Sequence, residues 1–435
     1  MRSMVLVWAL LVLGPIVGAQ TSAAQTIAAQ TQIAGLPTGD PDAAGVSRER
    51  LERVMLLLEG EVKEGRIAGA VFGIVRHGKL VWLKATGLRD KAANLPMTTD
   101  ALFPLASMTK PIASVAAMTL VEQGKLALRD PIAKYLPAFK DVQVAKEWQG
   151  GAPGTAGPIA TEKLARPITI QDLLRHTAGL VNGGLFSRTP VRVAYVDSGV
   201  YQEPQTLAEE VDKIAKLPLA YQPGTRWDYS QSTDVLARVV EVVSGKQFDK
   251  FVAEAITGPL QMADTSYNVP EAKWSRVALP VALPTGALPR TQDTHQITGH
   301  FQGNTGLVSS APDYLRFTMM LLGRGTLNGV RVLGGGTVDL MRVDALGSIP
   351  HDTESGTYLL GPGYGFGLGF SVRIADGESA FPGTKGSFGW GGAFGTQFVV
   401  DPVRDMAAVL MINQVNQFPR IFEMFNTLVY QTMID

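Results

Sequence analysis

Ser107-Met108-Thr109-Lys110 is the stretch on which the reading of this chain turns. Nowhere else in the sequence does a serine precede a lysine by three residues. Phe103-Pro104-Leu105-Ala106 leads into it, and an apolar run, Pro111 to Val121, follows with the composition of a buried helix. Three residues make almost one helical turn, so the two side chains share a face. At a helix N-terminus the backbone N–H groups are unpaired and stabilise negative charge. A serine there, with an amine one turn away to take its proton, is an acyl-transfer nucleophile in outline. The four residues alone are a weak pattern, and their meaning depends on the rest of the chain.

Bulk composition narrows the possibilities. A chain of 435 residues has room for two or three domains. It is 46% apolar and 18% charged, which suits a large core. Lys+Arg and Asp+Glu both number 39, so no net charge favours nucleic acid or an anionic membrane as partner. Residues 1–19 carry one charged side chain, Arg2, ahead of an apolar run from Met4 to Val17. That is the pattern of a signal peptide, read here as residues 1–24, and it predicts export to the periplasm or medium. Its run is shorter than the roughly 18 apolar residues that mark a spanning helix, so no lasting membrane anchor is expected. With no cysteine, the exported protein has no disulfide and depends on its core.

Residues 25–45, rich in Gln, Thr and Ala and ending in LPTGDPDAAG, read as a flexible linker. Ser47 then starts a helical pattern. Ala68 to Gly87 reads as two strands joined by a tight turn at His77-Gly78. Between about 125 and 304, helical runs alternate with Gly/Pro-rich loops; after Asn304 a helix, glycine-punctuated strands and a final helix follow. The order predicts a discontinuous α/β domain, 46–124 with 305–435, carrying a mainly helical domain at 125–304.

Two further segments bear on the chemistry. Tyr229 lies in PGTRWDYSQSTDVLARVV, after the turn signal Pro223-Gly224 and just before a helix beginning near Ser232. Trp390-Gly391-Gly392-Ala393-Phe394-Gly395 is a strand on which glycines admit a ligand close to the backbone. Alone, the first is an ordinary packing tyrosine and the second a Gly-rich strand beside a core tryptophan.

Taken in order, the three segments resemble the serine β-lactamase and penicillin-binding protein superfamily, whose marks are a Ser-x-x-Lys helix, a Tyr-x-Asn loop and a Lys-Thr-Gly strand. Within it the chain is most similar to the class C branch and to the family VIII carboxylesterases. LLRHTAGL, GLVSSAPDYLRF and GYGFGLGF extend the likeness from about Ser47 to the C-terminus. The resemblance implies an α/β fold, an antiparallel sheet flanked by helices, with an all-helical domain beside it. It also implies catalysis by Ser107, Lys110 and Tyr229, and an oxyanion hole made by the backbone N–H groups of Ser107 and Ala393. Gln231, Trp390, Gly391 and Gly392 become the substrate-binding positions.

The departures carry as much information. The loop is Tyr229-Ser230-Gln231 rather than Tyr-x-Asn, and Trp390 stands where the superfamily has a lysine that helps to hold a substrate carboxylate. An indole has one donor and no charge. That replacement points away from β-lactams and peptide C-termini and toward neutral acyl esters: an exported serine hydrolase forming an acyl-Ser107 intermediate on a small-molecule ester. The alternatives are a β-lactamase or D-amino-acid peptidase (DD-carboxypeptidase-like), an acyltransferase and, from another class, a non-catalytic binding or sensor protein. Ser107 attacks once its proton is taken, either by neutral Lys110 or by Tyr229, which relays it or acts as a phenolate.

Ser266-Tyr267-Asn268 also fits a Ser-x-Asn pattern but reads as a structural turn; Lys385-Gly386-Ser387 is out of register with the third motif, yet it can place a cation near the cleft mouth, which keeps the β-lactamase alternative open. No Gly-x-Ser-x-Gly is present. Of the five histidines, His176 reads as a buried turn residue, while His295 and His300 read as surface residues of a loop. None sits in a metal-binding motif, so neither metal nor cofactor is expected. Oligomeric state is left open by the sequence.

Overall fold

The computed structural model describes residues 32–435 except 34, 147–158, 185–188, 283–291, 351–359, 416 and 418–419. The signal-peptide reading and His351 lie outside the described residues. Eight strands make the central sheet: β1 (Gly69–Arg76), β2 (Lys79–Asp90), β3 (Leu95–Pro96), β4 (Tyr364–Phe366), β5 (Ser371–Arg373), β6 (Phe388–Gly391), β7 (Gln397–Asp401) and β8 (Met406–Met411). Their spatial order is β4-β5-β6-β7-β8-β1-β2-β3, antiparallel at every pairing. The chain therefore builds one edge from its C-terminal third and the other from its first quarter, joined where β8 pairs with β1.

β1 and β8 are buried on both faces, so their sequences are continuous apolar runs, and only the period of two sorts their side chains. Ala70, Phe72 and Ile74 with Ala408 and Leu410 face helices α1 (Arg48–Lys63) and α5 (Arg420–Tyr430). Val71, Val75, Ala407, Val409 and Met411 face the larger core, shared with α2 (Thr109–Glu122), α3 (Ser232–Ser244) and α4 (Ala311–Leu322). At Gly73 the absent side chain makes room for Leu315 of α4, whose Cδ1 would lie 2.8 Å from a Cβ there. The β1–β2 hairpin turns at His77 and Gly78, both with positive φ (51° and 68°), as the twist of a two-residue hairpin requires. Ser47 caps α1, accepting from the Arg50 N–H.

Between residues 125 and 304 lie short helices at Ile170–Leu174, Pro190–Asp197, Leu207–Ile214 and Phe248–Val252, together with α3. α2 and α3 are buried along most of their lengths and pack against each other, which is why α2 carries almost no polar face.

One expectation needs correcting here. The linker read over 25–45 is, from Gly35 onward, packed structure. Leu36 is fully buried in the main core, Thr38 bridges Leu80, and the Gly39 N–H donates to the Leu80 carbonyl at 3.0 Å. A stretch this short has no periodicity to announce burial, and its Gly/Pro content looks the same whether or not it docks.

Candidate active site

Ser107 sits in a 3-10 turn, Ala106–Met108, that feeds α2. The turn is bent sharply: Ala106 has φ of +45°, a conformation that costs a non-glycine residue energy and recurs at functional sites. It is held from three sides. The Leu105 N–H donates to the Leu307 carbonyl at 2.8 Å, Thr396 Oγ1 donates to the Leu105 carbonyl at 3.1 Å, and Tyr314 Oη donates to the Met108 carbonyl at 2.9 Å. Ser107 is half-buried, while Lys110, three residues on, is 5% exposed.

Tyr229 reaches this turn from another segment. His176 and Thr177, in the turn after Ile170–Leu174, hold residues 224–230 in place. The His176 carbonyl accepts from the Asp228 N–H (3.0 Å), the Thr177 carbonyl accepts from the Gly224 N–H (2.7 Å), and His176 Nδ1 lies 3.1 Å from Ser230 Oγ. So fixed, Tyr229 Oη donates to Ser107 Oγ at 2.6 Å. Lys110 Nζ donates to the same oxygen at 3.2 Å and to the Asn304 backbone carbonyl at 3.0 Å. The ammonium also lies 4.5 Å from the centre of the Tyr229 ring. Serine, lysine and tyrosine thus meet around one oxygen.

Trp390 stands on the other side. Its ring is 5.5 Å from that of Tyr229 and 5.4 Å from Phe366, it is 5% exposed, and its indole N–H has no hydrogen-bond partner among the described residues. β6 runs beside the Ser107 turn. A Cβ on Gly392 would overlap both Thr396 Oγ1 and the Leu105 carbonyl oxygen, so only glycine permits this approach. Beyond β6 the chain turns tightly: the Gly392 N–H donates to the Thr396 carbonyl (2.7 Å) and the Gly395 N–H to the Gly392 carbonyl (2.9 Å). Ala393 is exposed at the tip of this turn.

Gln231, read as a substrate-binding position, is 3% exposed and lies in a buried network. Its Oε1 accepts from Asn304 Nδ2 (2.9 Å) and Asn182 Nδ2 (3.3 Å). Asn304 is pinned further by Asp234, which accepts from both its backbone N–H (2.7 Å) and its side-chain Nδ2. Gly303 permits this, because a Cβ there would overlap the Thr233 carbonyl oxygen. Burial, reinforced by the charge of Glu210, pushes the Asp234 carboxyl well above the usual carboxylate range.

The histidines divide. His176 is buried 5.1 Å from the Tyr229 ring, and burial, with the charge of Lys110, holds its imidazole well below the usual histidine range. It is neutral and engaged by Ser230, as a turn residue should be. His295 is exposed against Trp274. His300 is not a surface residue, and that expectation is corrected: it is 4% exposed, with Nδ1 2.6 Å from Glu203 and Nε2 2.7 Å from Glu210. Two carboxylates supply the partners that let a loop histidine bury.

The two decoy motifs also find places. Ser266 Oγ donates to the Asn268 carbonyl (2.9 Å) and Asn268 ties Thr298, so that triplet is a structural turn. Lys385 is exposed in the turn before β6. Among the described residues no cluster of His, Asp and Glu could hold a metal ion, and no helix is long and apolar enough to cross a membrane. Asn304, Asp234, Glu210 and His300 were not legible as site residues; the one available signal was a polar run, TGHFQGN, immediately before the GLVSSAPDYLRF stretch.

The chain is similar in sequence and fold to several known proteins. Over 360 residues the chain is 37% identical to Protein Rv1367c of Mycobacterium tuberculosis, covering 80% of this chain and 86% of that protein. It is 29% identical over 403 residues to Esterase EstB of Burkholderia gladioli, covering 86% and 93%. Among solved structures it resembles EstCE1, a hydrolase with promiscuous acyltransferase activity, with a TM-score of 0.72 and 27% identity over 88% of this chain and 99% of that one. The family model for Beta-lactamase matches residues 55–424, nearly the whole described chain, and the protein belongs to that family, within the serine β-lactamase and penicillin-binding protein superfamily of serine hydrolases.

Proposed function

We propose that this protein is an exported serine esterase that cleaves small carboxylic esters through an acyl-Ser107 intermediate. The observation that carries the reading is Trp390, an uncharged buried indole beside Tyr229 and Ser107 on the strand where a carboxylate-binding lysine would stand. The indole itself gives a substrate carboxylate no charge to pair with, and a neutral ester needs none. The likeness to EstB and EstCE1 supports the same substrate class.

Ser107 Oγ attacks the ester carbonyl carbon as its proton passes to neutral Lys110 Nζ, directly or relayed by Tyr229 Oη as the phenol hands its own proton to the amine, or to Tyr229 Oη acting as a phenolate. The carbonyl oxygen becomes an oxyanion held by the backbone N–H groups of Ser107 and Ala393; one such donor is worth about 3–4 kcal/mol. Collapse breaks the C–O bond, and the alcohol leaves with the proton taken from serine. Water then repeats the sequence on the acyl-enzyme, releasing the acid and restoring Ser107. An alcohol in place of water gives acyl transfer, an activity named for EstCE1.

The test is hydrolysis of p-nitrophenyl acetate and butyrate by the wild type and Ser107→Ala, with a fluorophosphonate probe as a second readout. The expected outcome is loss of both turnover and labelling in the variant. Full activity in Ser107→Ala would remove the assignment, and rapid nitrocefin turnover or release of a terminal D-residue would replace the ester reading with the lactamase or peptidase one.

A further inference from the structure

The buried polar network behind Lys110 runs to the protein surface. Glu203, whose side chain is 56% exposed, lies 2.6 Å from His300 Nδ1, and His300 Nε2 lies 2.7 Å from Glu210 Oε2. Gln231 Nε2 donates to Glu210 Oε1 at 3.5 Å, the longest link of the chain. Gln231 Oε1 accepts from Asn304 Nδ2, and the Asn304 carbonyl accepts from Lys110 Nζ at 3.0 Å. Glu210 and His300 are themselves almost fully buried.

The order of donors and acceptors in this chain is forced from one end. A carboxylate only accepts, so Glu210 makes Gln231 present its NH2 to it and its oxygen to Asn304. Asn304 must then present its own NH2 to Gln231 and Asp234, which leaves its Oδ1 without a partner among the described residues. An amide does not pass protons along such a chain, but it does transmit orientation. Asn304, whose carbonyl seats Lys110, is thus tied to Glu210 through Gln231 as well as to Asp234 through its own backbone N–H.

We propose that Glu210 and His300 are positioning residues for Lys110. The proposal rests on the reading of Ser107 and Lys110 as the acyl-transfer pair. Glu210 sets the amide of Gln231, Gln231 sets Asn304, and Asn304 aims the lysine at Ser107 Oγ. His300, with its Nε2 2.7 Å from Glu210 Oε2, fixes where that carboxyl group sits. The groups facing this pair are Glu203 and Gln302 in contact, with Gln302 Nε2 3.3 Å from Glu210, and Glu209, Asp234 and Tyr201 further out. Burial pulls the His300 imidazole down, but the hydrogen bonds and charges of Glu210 and Glu203 outweigh it and hold it at about 9. His300 is therefore a cation at neutral pH and loses that charge at alkaline pH.

Three variants test the assignment: Glu210→Gln, His300→Gln and the surface change Glu203→Gln. In Glu210→Gln, kcat for p-nitrophenyl butyrate should fall at least roughly tenfold with KM within about twofold, as expected for misplacing a catalytic group. The rate of fluorophosphonate labelling should fall in step. His300→Gln should behave likewise but more mildly. Glu203→Gln removes one of the charges that hold His300 up, so the alkaline limb of kcat should move to lower pH by roughly 0.5–1 unit. Because Glu203 is exposed, this variant folds even if the buried ones do not. The proposal is overturned if Glu210→Gln and His300→Gln lose only melting temperature while kcat is kept, or if the alkaline limb stays put in Glu203→Gln. Loss of labelling at Ser107 in the wild type would instead remove the underlying assignment of the acyl-transfer pair.

Discussion

Tyr229 Oη lies 2.6 Å from Ser107 Oγ although 122 residues separate the two in sequence. The segment before α3 that carries Tyr229 is tied by hydrogen bonds to the turn at His176 and Thr177. Tyr229→Phe keeps the ring, its contacts with His176 and Trp390, and its burial, and removes only the hydroxyl. We expect kcat for p-nitrophenyl butyrate to fall about 10²–10⁴-fold, the range typical of a lost acid–base group. A melting temperature close to that of the wild type would show that the loss is chemical.

Gly392→Ala should cost both activity and stability. Its Cβ overlaps Thr396 Oγ1 and, less forgivingly, the Leu105 carbonyl two residues before Ser107. Overpacking of this kind costs about 1–3 kcal/mol. For Gly391→Ala the nearest atoms are those of the Gln397 carboxamide, the end of a side chain rather than backbone. Thermal melts and ester turnover of the two variants should rank Gly392→Ala as the more damaged in both.

The indole at position 390 predicts a substrate ratio. The wild type should hydrolyse p-nitrophenyl butyrate with a kcat/KM at least roughly 100-fold above that for nitrocefin, about what the loss of one charged contact of 2–3 kcal/mol produces. Side-by-side steady-state kinetics measure it, and near-equal values would contradict the role given to Trp390.

Alkaline pH should weaken the fold. His300 is raised in the folded state to about 9, above an unfolded value near 6.5. Its contribution is therefore fully present below about pH 6.5 and is lost as pH rises through 9, with an upper limit of about 3 kcal/mol. Melting temperatures of the wild type should fall between pH 7 and 9.5, and His300→Gln should show a flatter profile over that range.

Acid should act through a different cluster. Asp172 is fully buried; burial raises its carboxyl, but hydrogen bonds from Arg166 (2.6 Å) and Thr169 outweigh that and hold it at about 2. A depressed carboxyl contributes stability above its unfolded value near 3.8 and loses it as pH falls to 2, here about 2 kcal/mol. Arg166→Gln should reduce that acid dependence in melts between pH 5 and 2.5, and because Asp172 orders the turn that carries His176 and Thr177, ester turnover at neutral pH should fall as well.

How much of this was legible in the sequence depends on the range over which each signal acts. Ser107 and Lys110 announce themselves because their relation is local, one turn of one helix. The His77-Gly78 hairpin and the start of α3 at Ser232 were equally local. Trp390 and Gly392 could be singled out only by resemblance, since nothing near them says that Leu105 lies against the strand. His300 and Glu210 are 90 residues apart, and a histidine between threonine, glycine and phenylalanine looks solvated until the carboxylate that buries it is known. Gln231 illustrates the converse: its place in the motif pointed at substrate, while its amide is engaged by Asn304, Asn182 and Glu210. Long-range polar pairing leaves no periodicity, and that is where sequence reading stopped.

The strand order has a consequence for when the enzyme can first act. During synthesis the Ser107 helix emerges early, but β6 joins the sheet only through β7, β7 through β8, and β8 through β1. The turn bearing Ala393 therefore has no fixed position until the ribosome has passed Met411. A growing chain carries Ser107 for some three hundred residues before β6 and the turn beyond it can be placed beside it. On the function proposed above, ester turnover would begin only once the first and last parts of the sheet have met.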